Sequence, residues 1–377
     1  GRAQREPDGK GGERGEREVK VGRPREGRRS RADQPALLQE VRRFRGACSI
    51  GHGAHHRIGC AKVDVEETAV KAAYIAHPSF MRHEMGPHHP ECPERLAAIS
   101  DRLLMRGVLD AMDTFEAPAA TPEQIDRAHD MRHYHELRAA APTDGYVNVD
   151  PDTAMNPHTW TAALHAAGAA ILATELVVRG DYRRAFCAVR PPGHHATSGA
   201  AMGFCFFNNV AVGIRHAIDV LGVERVALID FDVHHGNGSE EILAGDDRVL
   251  MVSTFQTRLY PFNGEEARGP NMCNVGLPPY SDGAQLRAAV SDRWLPALRA
   301  FAPQMLFVSA GFDAHREDDM SHLGWRDEDY AWVSREIARF ADDACDGRIV
   351  STLEGGYHLP ALARCVELHL RALLLLD

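Results

Sequence analysis

Residues 228–238 read LIDFDVHHGNG, and in this stretch an apolar run passes directly into acids and histidines. The run VALI that leads into Asp230 has the composition of a buried β-strand. Ionised carboxylates at the end of such a strand are tolerated only when they are paired, hydrogen-bonded or bound to a metal. Because Asp230, Asp232 and His234 alternate along the chain, their side chains leave an extended strand end on the same side. This arrangement favours a metal site.

Asp232 and His234 are two candidate ligands, and Asp313 is the natural third. Asp313 follows the apolar run MLFVSA in the motif SAGFDAH, where Gly311 gives the backbone freedom to turn. A mixed carboxylate and imidazole set suits zinc and is typical of catalytic sites more than of structural ones. An alternative stays open, because acids and histidines at strand ends also cap neighbouring helices.

Two further motifs carry side chains suited to proton transfer and oxyanion binding. His194 and His195 follow the stiff turn Pro-Pro-Gly, which fixes their direction and suits an acid/base pair. Asp230 and Asn237 are available to hold the tautomers of the two imidazoles. Tyr357 follows two glycines, a flexible hinge that lets its phenol donate a hydrogen bond to a developing oxyanion. A tyrosine buried in the core is the alternative for this residue.

Strand and helix signals alternate along most of the chain, which predicts an α/β protein. KAAYIA and AFCAV are followed by VALIDFD, VLMVST, MLFVSA and RIVSTL, with amphipathic helices between most of them. Such alternation favours a mostly parallel sheet covered by helices on both faces. Four motifs, RPPGHH, DFDVHH, GFDAH and EGGYH, come directly after strands, where open α/β sheets place their ligands. The site is therefore expected at the carboxyl edge of the sheet.

The composition changes sharply before the predicted single domain, which we place at residues 67–377. Residues 1–66 begin with a segment rich in Gly, Arg and Glu, which buries too little apolar surface to order itself. We predict a disordered basic tail here, and the change of composition also fits an upstream extension foreign to the native protein. His83, His88 and His89 lie in a loop as candidates for the rim of the site, or as solvated histidines.

Charge, hydropathy and cysteine content exclude several classes of protein. The net charge of −10 argues against a general nucleic-acid binder, which needs a basic face. We find no run of about 18 apolar residues that would predict a membrane span. The eight cysteines form no CxxC pair and are expected to be reduced thiols, so we expect a cytoplasmic protein.

Six ordered motifs resemble those of the histone deacetylase superfamily, which includes bacterial deacetylase-like amidohydrolases and acetylpolyamine amidohydrolases. The motifs are HPECPERL, RPPGHHA, GFCFFNN, DFDVHHGNG, SAGFDAH and LEGGY. The resemblance implies the arginase/deacetylase fold, with a central, mostly parallel sheet of about eight strands between helical layers. It also implies that Asp232, His234 and Asp313 bind one zinc ion.

The same resemblance implies roles for other residues of the predicted site. His194 and His195 match the catalytic tandem histidines, and Tyr357 matches the tyrosine that polarises the substrate carbonyl. Asp230 matches the acid that orients the first histidine. Asn237 stands where class II relatives carry Asn and class I relatives carry a second Asp, so the pattern is nearest to class II.

The resemblance further implies a structural potassium ion and a narrow substrate tunnel. Potassium would be bound by Asp230, by the backbone at positions 232 and 234, and by Ser253. The tunnel would be lined by Gly203, Phe204 and Tyr260, whose aromatic walls suit a slim aliphatic chain.

These residues predict a zinc-dependent amidohydrolase that uses water to remove an acetyl group from a lysine side chain, a polyamine or a related amine. Met320 stands at the tunnel mouth, seven residues after Asp313, where polyamine-selective relatives are expected to place an acid. An apolar methionine suits a broader range of substrates. The alternatives are an arginase-like ureohydrolase, which needs two bridged metals, and a catalytically silent binder of acetylated chains. Nucleic-acid and membrane partners are not expected, and association into a homo-oligomer stays open.

Overall fold

A computed structural model describes residues 70–376, so the predicted tail at residues 1–66 lies outside the described residues. The strands are β1 (Ala72–Ala76), β2 (Met112–Glu116), β3 (Val147–Asp150), β4 (Thr153–Met155), β5 (Arg184–Cys187), β6 (Val226–Asp230), β7 (Val249–Gln256), β8 (Met272–Leu277), β9 (Met305–Ala310) and β10 (Ile349–Leu353). β3 and β4 form a separate antiparallel pair, and the others form one sheet in the order β2-β1-β5-β10-β9-β6-β7-β8. All neighbours in this sheet are parallel, which confirms the predicted α/β class and the sheet of eight strands.

Helices connect the strands and flank the sheet. They are α1 (Glu94–Met105), α2 (Pro122–Ile125), α3 (Met131–Ala140), α4 (Thr159–Val178), α5 (Asn209–Asp219), α6 (Asn237–Leu243), α7 (Gly283–Ala289), α8 (Leu295–Phe301), α9 (Asp327–Ala344) and α10 (Leu359–Leu374). A π-helical turn at Val290–Trp294 joins α7 to α8. Helix α4 packs against α5 and against β1, β5 and β10, whereas α10 packs against α1 and α9.

Helix α4 is long and apolar enough to cross a membrane, which corrects the expectation that the chain has no such run. The structure explains its composition in another way, because 67% of its most apolar window is buried inside the fold. At Gly168 the helix lies so close to Pro118 that an added Cβ would be 1.9 Å from the Pro118 carbonyl oxygen. Helix α4 is therefore a core helix whose small apolar residues allow close packing.

Strands β5, β10, β9, β6 and β7 are neighbours at the centre of the sheet, and every residue in them is buried. Parallel strands bring their carboxyl ends to one edge of a sheet, so the loops that follow these five strands meet there. The tandem histidines follow β5, Tyr357 follows β10, Asp313 follows β9, and Asp232 and His234 follow β6. The order of the strands thus brings the predicted motifs together.

Candidate active site

Asp232, His234 and Asp313 converge on one buried point, and their candidate ligand atoms lie within 4.8 Å of one another. The Nδ1 atom of His234 is 3.1 Å from Oδ1 of Asp232 and 3.1 Å from Oδ2 of Asp313. Backbone N–H groups hold the other carboxylate oxygens: Val233 donates to Oδ1 of Asp313 at 3.0 Å, and Gly355 donates to Oδ2 of Asp232 at 2.8 Å. The three side chains are therefore fixed before any ion binds.

Two glycines leave room for these carboxylates. An added Cβ on Gly311 would be 2.0 Å from Oδ2 of Asp232, and one on Gly355 would be 2.1 Å from Oδ2 of Asp313. Neither glycine is among those with a positive φ. Glycine at position 311 was expected to allow a turn, but it is required because the Asp232 carboxylate lies directly against the backbone.

The donor set fits a divalent cation. Oδ2 of Asp313 is buried and accepts no hydrogen bond of normal geometry, although it faces His234 Nδ1. Burial, together with the negative charge of Asp232, raises the pKa of Asp313 to about 6. A metal ion would offset the repulsion between two carboxylates that face one imidazole in a buried pocket. This set of oxygen and nitrogen donors suits zinc.

A second group of metal-binding side chains, His315, Asp327 and Cys365, does not fit an ion as well. The carboxylate of Asp327 already lies 2.7 Å from Nε of Arg364 and 2.9 Å from Nε2 of His315. A guanidinium in this position supplies the positive charge that a metal would bring, so the group is an ion-paired network.

The tandem histidines are buried beside the three candidate ligands and have different partners. Nδ1 of His194 lies 3.2 Å from Oδ2 of Asp230, and Nδ1 of His195 lies 2.7 Å from Oδ1 of Asn237. Burial lowers the pKa of His194, but the negative charges of Asp232 and Asp230 outweigh it and raise the pKa to about 10. Burial and the positive charges of His194 and His234 instead lower the pKa of His195 well below its usual value. The pKa values of the two neighbouring imidazoles are thus shifted in opposite directions.

Glu354 holds the backbone at the tandem histidines. Its role was not predicted from the sequence. Its Oε2 accepts the backbone N–H groups of Gly193 and His194 at 2.7 and 3.1 Å, and its Oε1 accepts the hydroxyl of Ser309 at 3.1 Å. Burial raises the pKa of Glu354 to about 7 although these hydrogen bonds favour the ionised form. An acid directly after the apolar run RIVSTL was the available signal.

Tyr357 lies between an aromatic ring and a guanidinium. Its ring centroid is 5.9 Å from that of Phe204, in an edge-to-face arrangement, and the Cζ atom of Arg95 is 4.9 Å from the Tyr357 ring centroid. Burial of the hydroxyl raises the pKa of Tyr357 well above 10, so the phenol stays neutral and able to donate a hydrogen bond. Tyr357 is partly exposed and packs edge-to-face on Phe204, so it is not enclosed in the core.

The predicted tunnel residues surround His195. Gly203 has a φ of +55°, and an added Cβ would lie 2.5 Å from Cδ2 of His195 and 3.0 Å from Cε1 of Tyr260. The ring centroids of Tyr260 and His195 are 5.2 Å apart. Because both the φ angle and the close approach require glycine at position 203, a larger residue would displace the histidine. The ring of Phe204, the next residue, packs edge-to-face on that of Tyr357.

The three loop histidines have different positions. The ring of His89 lies 4.6 Å from that of Phe204 and contributes to the rim. His83 is fully buried and exchanges a hydrogen bond of 2.8 Å with the Thr159 hydroxyl, so it is part of the core. His88 is exposed, with a φ of +67°. Of the three candidates for the rim, only His89 therefore lies beside a predicted tunnel residue.

Asp150 and Asp152, in the acidic loop around the turn between β3 and β4, lie near the predicted tunnel residue Tyr260. Burial and then the negative charges of Asp152 and Asp150 raise the pKa of Tyr260. Met320, the predicted mouth residue, is partly exposed, and its backbone N–H donates to Oδ1 of Asp318 at 3.1 Å. The predicted potassium ligands Asp230 and Ser253 are register partners on β6 and β7.

Comparisons with known proteins agree with this geometry. Residues 89–373 match the family model described as Histone deacetylase domain. Type-2 histone deacetylase 2 of Dictyostelium discoideum is 34% identical over 355 residues, which cover 81% of this chain and 21% of that protein. The Histone deacetylase-like amidohydrolase of Pseudomonas aeruginosa is 35% identical over 277 residues, which cover 71% of this chain and 72% of that protein.

A solved structure, the crystal structure of the HDA15 HD domain, superposes with a TM-score of 0.76 at 29% identity. The match covers 82% of this chain and 89% of that chain. The resemblance read from the six motifs and the expected arginase/deacetylase fold are thereby confirmed.

Proposed function

Because the chain belongs to the histone deacetylase family, we propose that it is a zinc-dependent amidohydrolase that removes the acetyl group from a lysine side chain, a polyamine or another small amine. The convergence of Asp232, His234 and Asp313 on one buried point beside the tandem histidines carries the proposal. Family membership supports a metal-dependent deacetylase, and the chemistry of the donor atoms supports zinc.

Asp232, His234 and Asp313 would hold the ion. Lewis-acid polarisation of the amide carbonyl and of a water molecule is the chemistry that zinc supplies in such a site. Three protein ligands leave coordination positions for substrate and water, as catalytic zinc sites require. The missing side chains at Gly311 and Gly355 keep the carboxylates free to reach the ion.

His195 is the proposed general base. Its Nδ1–H donates to Oδ1 of Asn237, so Nε2 of the neutral ring carries the free lone pair. Through this lone pair the neutral imidazole accepts a proton from water and later delivers it to the leaving amine. His194, whose pKa the charges of Asp232 and Asp230 raise, stabilises the negative charge that develops during attack.

Tyr357 is the proposed oxyanion donor. The Tyr357 hydroxyl keeps its proton because burial raises its pKa, and the Tyr357 ring packs edge-to-face on Phe204. A donor that is already in place stabilises the tetrahedral oxyanion without reorganisation. Phe204 and Tyr260 would enclose the aliphatic part of an acetylated amine and exclude water from the reacting bond.

Two further assignments belong to the proposal. Asp230 and Ser253, adjacent in register on β6 and β7, would bind a structural potassium ion that steadies the end of β6. A cytoplasmic location stays a prediction.

The test measures metal content and hydrolysis on the same preparation of the purified chain. We expect one zinc per chain, hydrolysis of acetyl-lysine peptides or N-acetylputrescine, loss of hydrolysis after chelation and recovery on adding zinc. Two metal ions per chain with release of urea from arginine would instead support the ureohydrolase. Binding of an acetyl-lysine peptide by the zinc-loaded chain without any turnover would support the silent binder.

A further inference from the structure

Asp318 lies in the loop after Asp313 and is only 5% exposed. Its Oδ2 accepts the backbone N–H groups of Tyr357 at 2.6 Å and of His358 at 2.9 Å. Its Oδ1 accepts the N–H of Met320 at 3.1 Å. One carboxylate thus joins the backbone of the proposed oxyanion donor to the backbone of the tunnel mouth.

The carbonyl groups of the same segment are held from the other side by Arg95. Its Nε donates to the carbonyl oxygen of Gly356 at 2.6 Å, and its Nη2 donates to that of Glu354 at 2.5 Å. Glu91 fixes Arg95 in turn, with Oε1 3.2 Å from Nη1 of Arg95. A cation therefore holds the C=O groups of the segment, and the anion Asp318 holds the N–H groups that follow.

We call these contacts of Arg95 and Asp318 with the backbone the clamp. The clamp is needed because Tyr357 follows two glycines, which leave the backbone before it flexible. Gly356 has a φ of +114°, a conformation that side chains rarely allow, and glycine has the largest backbone freedom to lose. An oxyanion donor has to stand within about 2.7–3.1 Å of the oxyanion, and a misplacement of about 1 Å costs on the order of 10²-fold in rate. Arg95 holds the residues before Tyr357, and Asp318 holds Tyr357 itself.

The surroundings of Asp318 distinguish this role from an ordinary surface ion pair. The neighbouring Glu317 pairs with Arg364 and His358. Within residues 70–376, by contrast, no Arg, Lys or His side chain forms an ion pair with Asp318, and the described contacts of its carboxylate are the three backbone N–H groups. A buried carboxylate is costly without a cation, so its hydrogen bonds to the loop are its compensation.

We propose that Asp318 is a positioning residue that sets the location of the Tyr357 hydroxyl and couples it to the tunnel mouth at Met320. The inference rests on the proposed deacetylase function for its catalytic consequence. Its structural part, that the carboxylate orders the backbone at Tyr357 and His358, stands independently of that function.

The experiment is a double-mutant cycle between Asp318→Ala and Tyr357→Phe, with zinc content measured on every variant. If Asp318 acts through the Tyr357 hydroxyl, Asp318→Ala lowers kcat by about 10²-fold in the wild-type background and by less than about 3-fold in the Tyr357→Phe background. KM is expected to change less than kcat, and zinc to stay at one per chain. Glu317→Ala, which removes the other neighbouring exposed acid, already paired with Arg364 and His358, is the matched control and is expected to keep wild-type kcat.

Asp318→Asn is the conservative variant. Its amide oxygen still accepts from Tyr357 and His358, while its NH₂ group meets the N–H of Met320, so we expect a loss of about 10-fold that is again absent in Tyr357→Phe. If Asp318→Ala fails to fold, this variant carries the test. Equal losses in both backgrounds, or loss of zinc, would overturn the proposal.

Amide hydrogen exchange separates failure of this inference from failure of the proposed function. The amides of Tyr357 and His358 are expected to be protected in the wild-type chain and to exchange at least about 10-fold faster in Asp318→Ala. An inactive wild-type chain that shows this change would contradict the deacetylase and leave the clamp in place. An active wild-type chain whose exchange is unaltered by Asp318→Ala would contradict the clamp alone.

Discussion

The metal-ligand residues and the tunnel residues of this site are held by different kinds of contact. Asp232 and His234 follow β6 within four residues, Asp313 follows β9 within three, and all three are buried. Tyr357 also follows a strand, β10, by four residues, but like Phe204 it is partly exposed, and its backbone is held by side chains from distant parts of the sequence. The metal-ligand half of the site is thus buried at the ends of β6 and β9, whereas the tunnel half is partly exposed and depends on distant contacts.

Because of this difference, we expect variants of the two halves to affect metal binding and turnover separately. A change in the metal half removes a charge from a buried cluster and is expected to release the ion. A change in the tunnel half leaves that cluster intact and is expected to alter the rate or the choice of substrate. Variants in the two halves should therefore give different pairs of readouts, metal content and kcat.

The largest effect is expected from Asp313→Ala. Removing one of three ligands leaves Asp232 and His234, too few to retain zinc, so metal content should fall below one tenth and hydrolysis by about 10³-fold or more. Zinc analysis after gel filtration and the rate of acetyl-lysine hydrolysis measure both. Asp327→Ala is the matched control, because this acid belongs to the second group of potential ligands but is paired with Arg364. Stoichiometric zinc with wild-type turnover in Asp313→Ala would refute the ligand assignment.

Tyr357→Phe is expected to lower turnover without affecting metal binding. Loss of a single oxyanion donor lowers kcat by about 10²-fold or more, while zinc stays bound and KM changes by only a few-fold. Tyr330→Phe is a control in the core, since the Tyr330 hydroxyl is buried and has no hydrogen-bond partner within the described chain. An unchanged kcat in Tyr357→Phe would show that this hydroxyl does not reach the carbonyl.

The sheet could be predicted from the sequence only where its strands are buried on both faces. Six strands, β1, β5, β6, β7, β9 and β10, show as apolar runs. The two strands that no apolar run indicates, β2 and β8, are the two edges of the sheet, and both contain exposed or partly exposed residues. An edge strand has one neighbour and a solvent side, so its sequence MDTFE or MCNVGL carries little of the hydrophobic signal.

The site residues could likewise be predicted only where they follow a buried strand that an apolar run reveals. The residues from Asp230 to His234 stand out because charge follows an apolar run within a few positions. Arg95 and Asp318 lie far from Tyr357 in sequence, and they act on its backbone through contacts that no local pattern encodes. The contacts that position Tyr357 therefore had to be found from the fold.

We also expect the protein to lose stability at low pH through His129, which holds the loop that carries Phe204. Nδ1–H of His129 donates to the Thr197 carbonyl at 2.9 Å, and its Nε2 accepts the N–H of Asn208 at 2.9 Å, so the ring joins both ends of the loop that contains Phe204. Burial, aided by the nearby His133, lowers the pKa of His129 from 6.5 to about 3. The folded state therefore binds the proton only at a lower pH than the unfolded state does.

Since the folded pKa is depressed, this stability is fully present above pH 6.5 and is lost as the pH falls from 6.5 toward 3. At pH 5 the loss from this group amounts to about 2 kcal/mol in the free energy of unfolding. Urea unfolding of wild type and His129→Gln at pH 7.5 and 5 measures it, and the variant should lose less stability between the two pH values. The exposed His135→Gln serves as the control. Identical losses in wild type and His129→Gln would show that the ring is not buried in its neutral form.

The smallest expected effect concerns the tunnel mouth and the choice of substrate. Of the three acids before Met320, Glu317 is paired with Arg364 and Asp318 is occupied by backbone N–H groups, so only the exposed Asp319 remains to attract a cation. Wild type is therefore expected to hydrolyse acetyl-lysine peptides and small acetylated amines without strict preference for polyamines. Met320→Glu should raise kcat/KM for acetylpolyamines relative to acetyl-lysine peptides by about 10-fold, the effect of one favourable charge pair.

Met320→Gln is the control for this last variant, because it has a similar size and polarity without the charge. The ratio of kcat/KM values for N-acetylputrescine, longer acetylpolyamines and acetyl-lysine peptides should then stay near that of wild type. If the wild-type chain already preferred acetylpolyamines by more than about 10²-fold, a different acid would have to provide the selectivity. Asp150 and Asp152, whose charges act on Tyr260, would be the acids to replace next, and the tunnel half would then select its substrate through the acidic loop instead of through Met320.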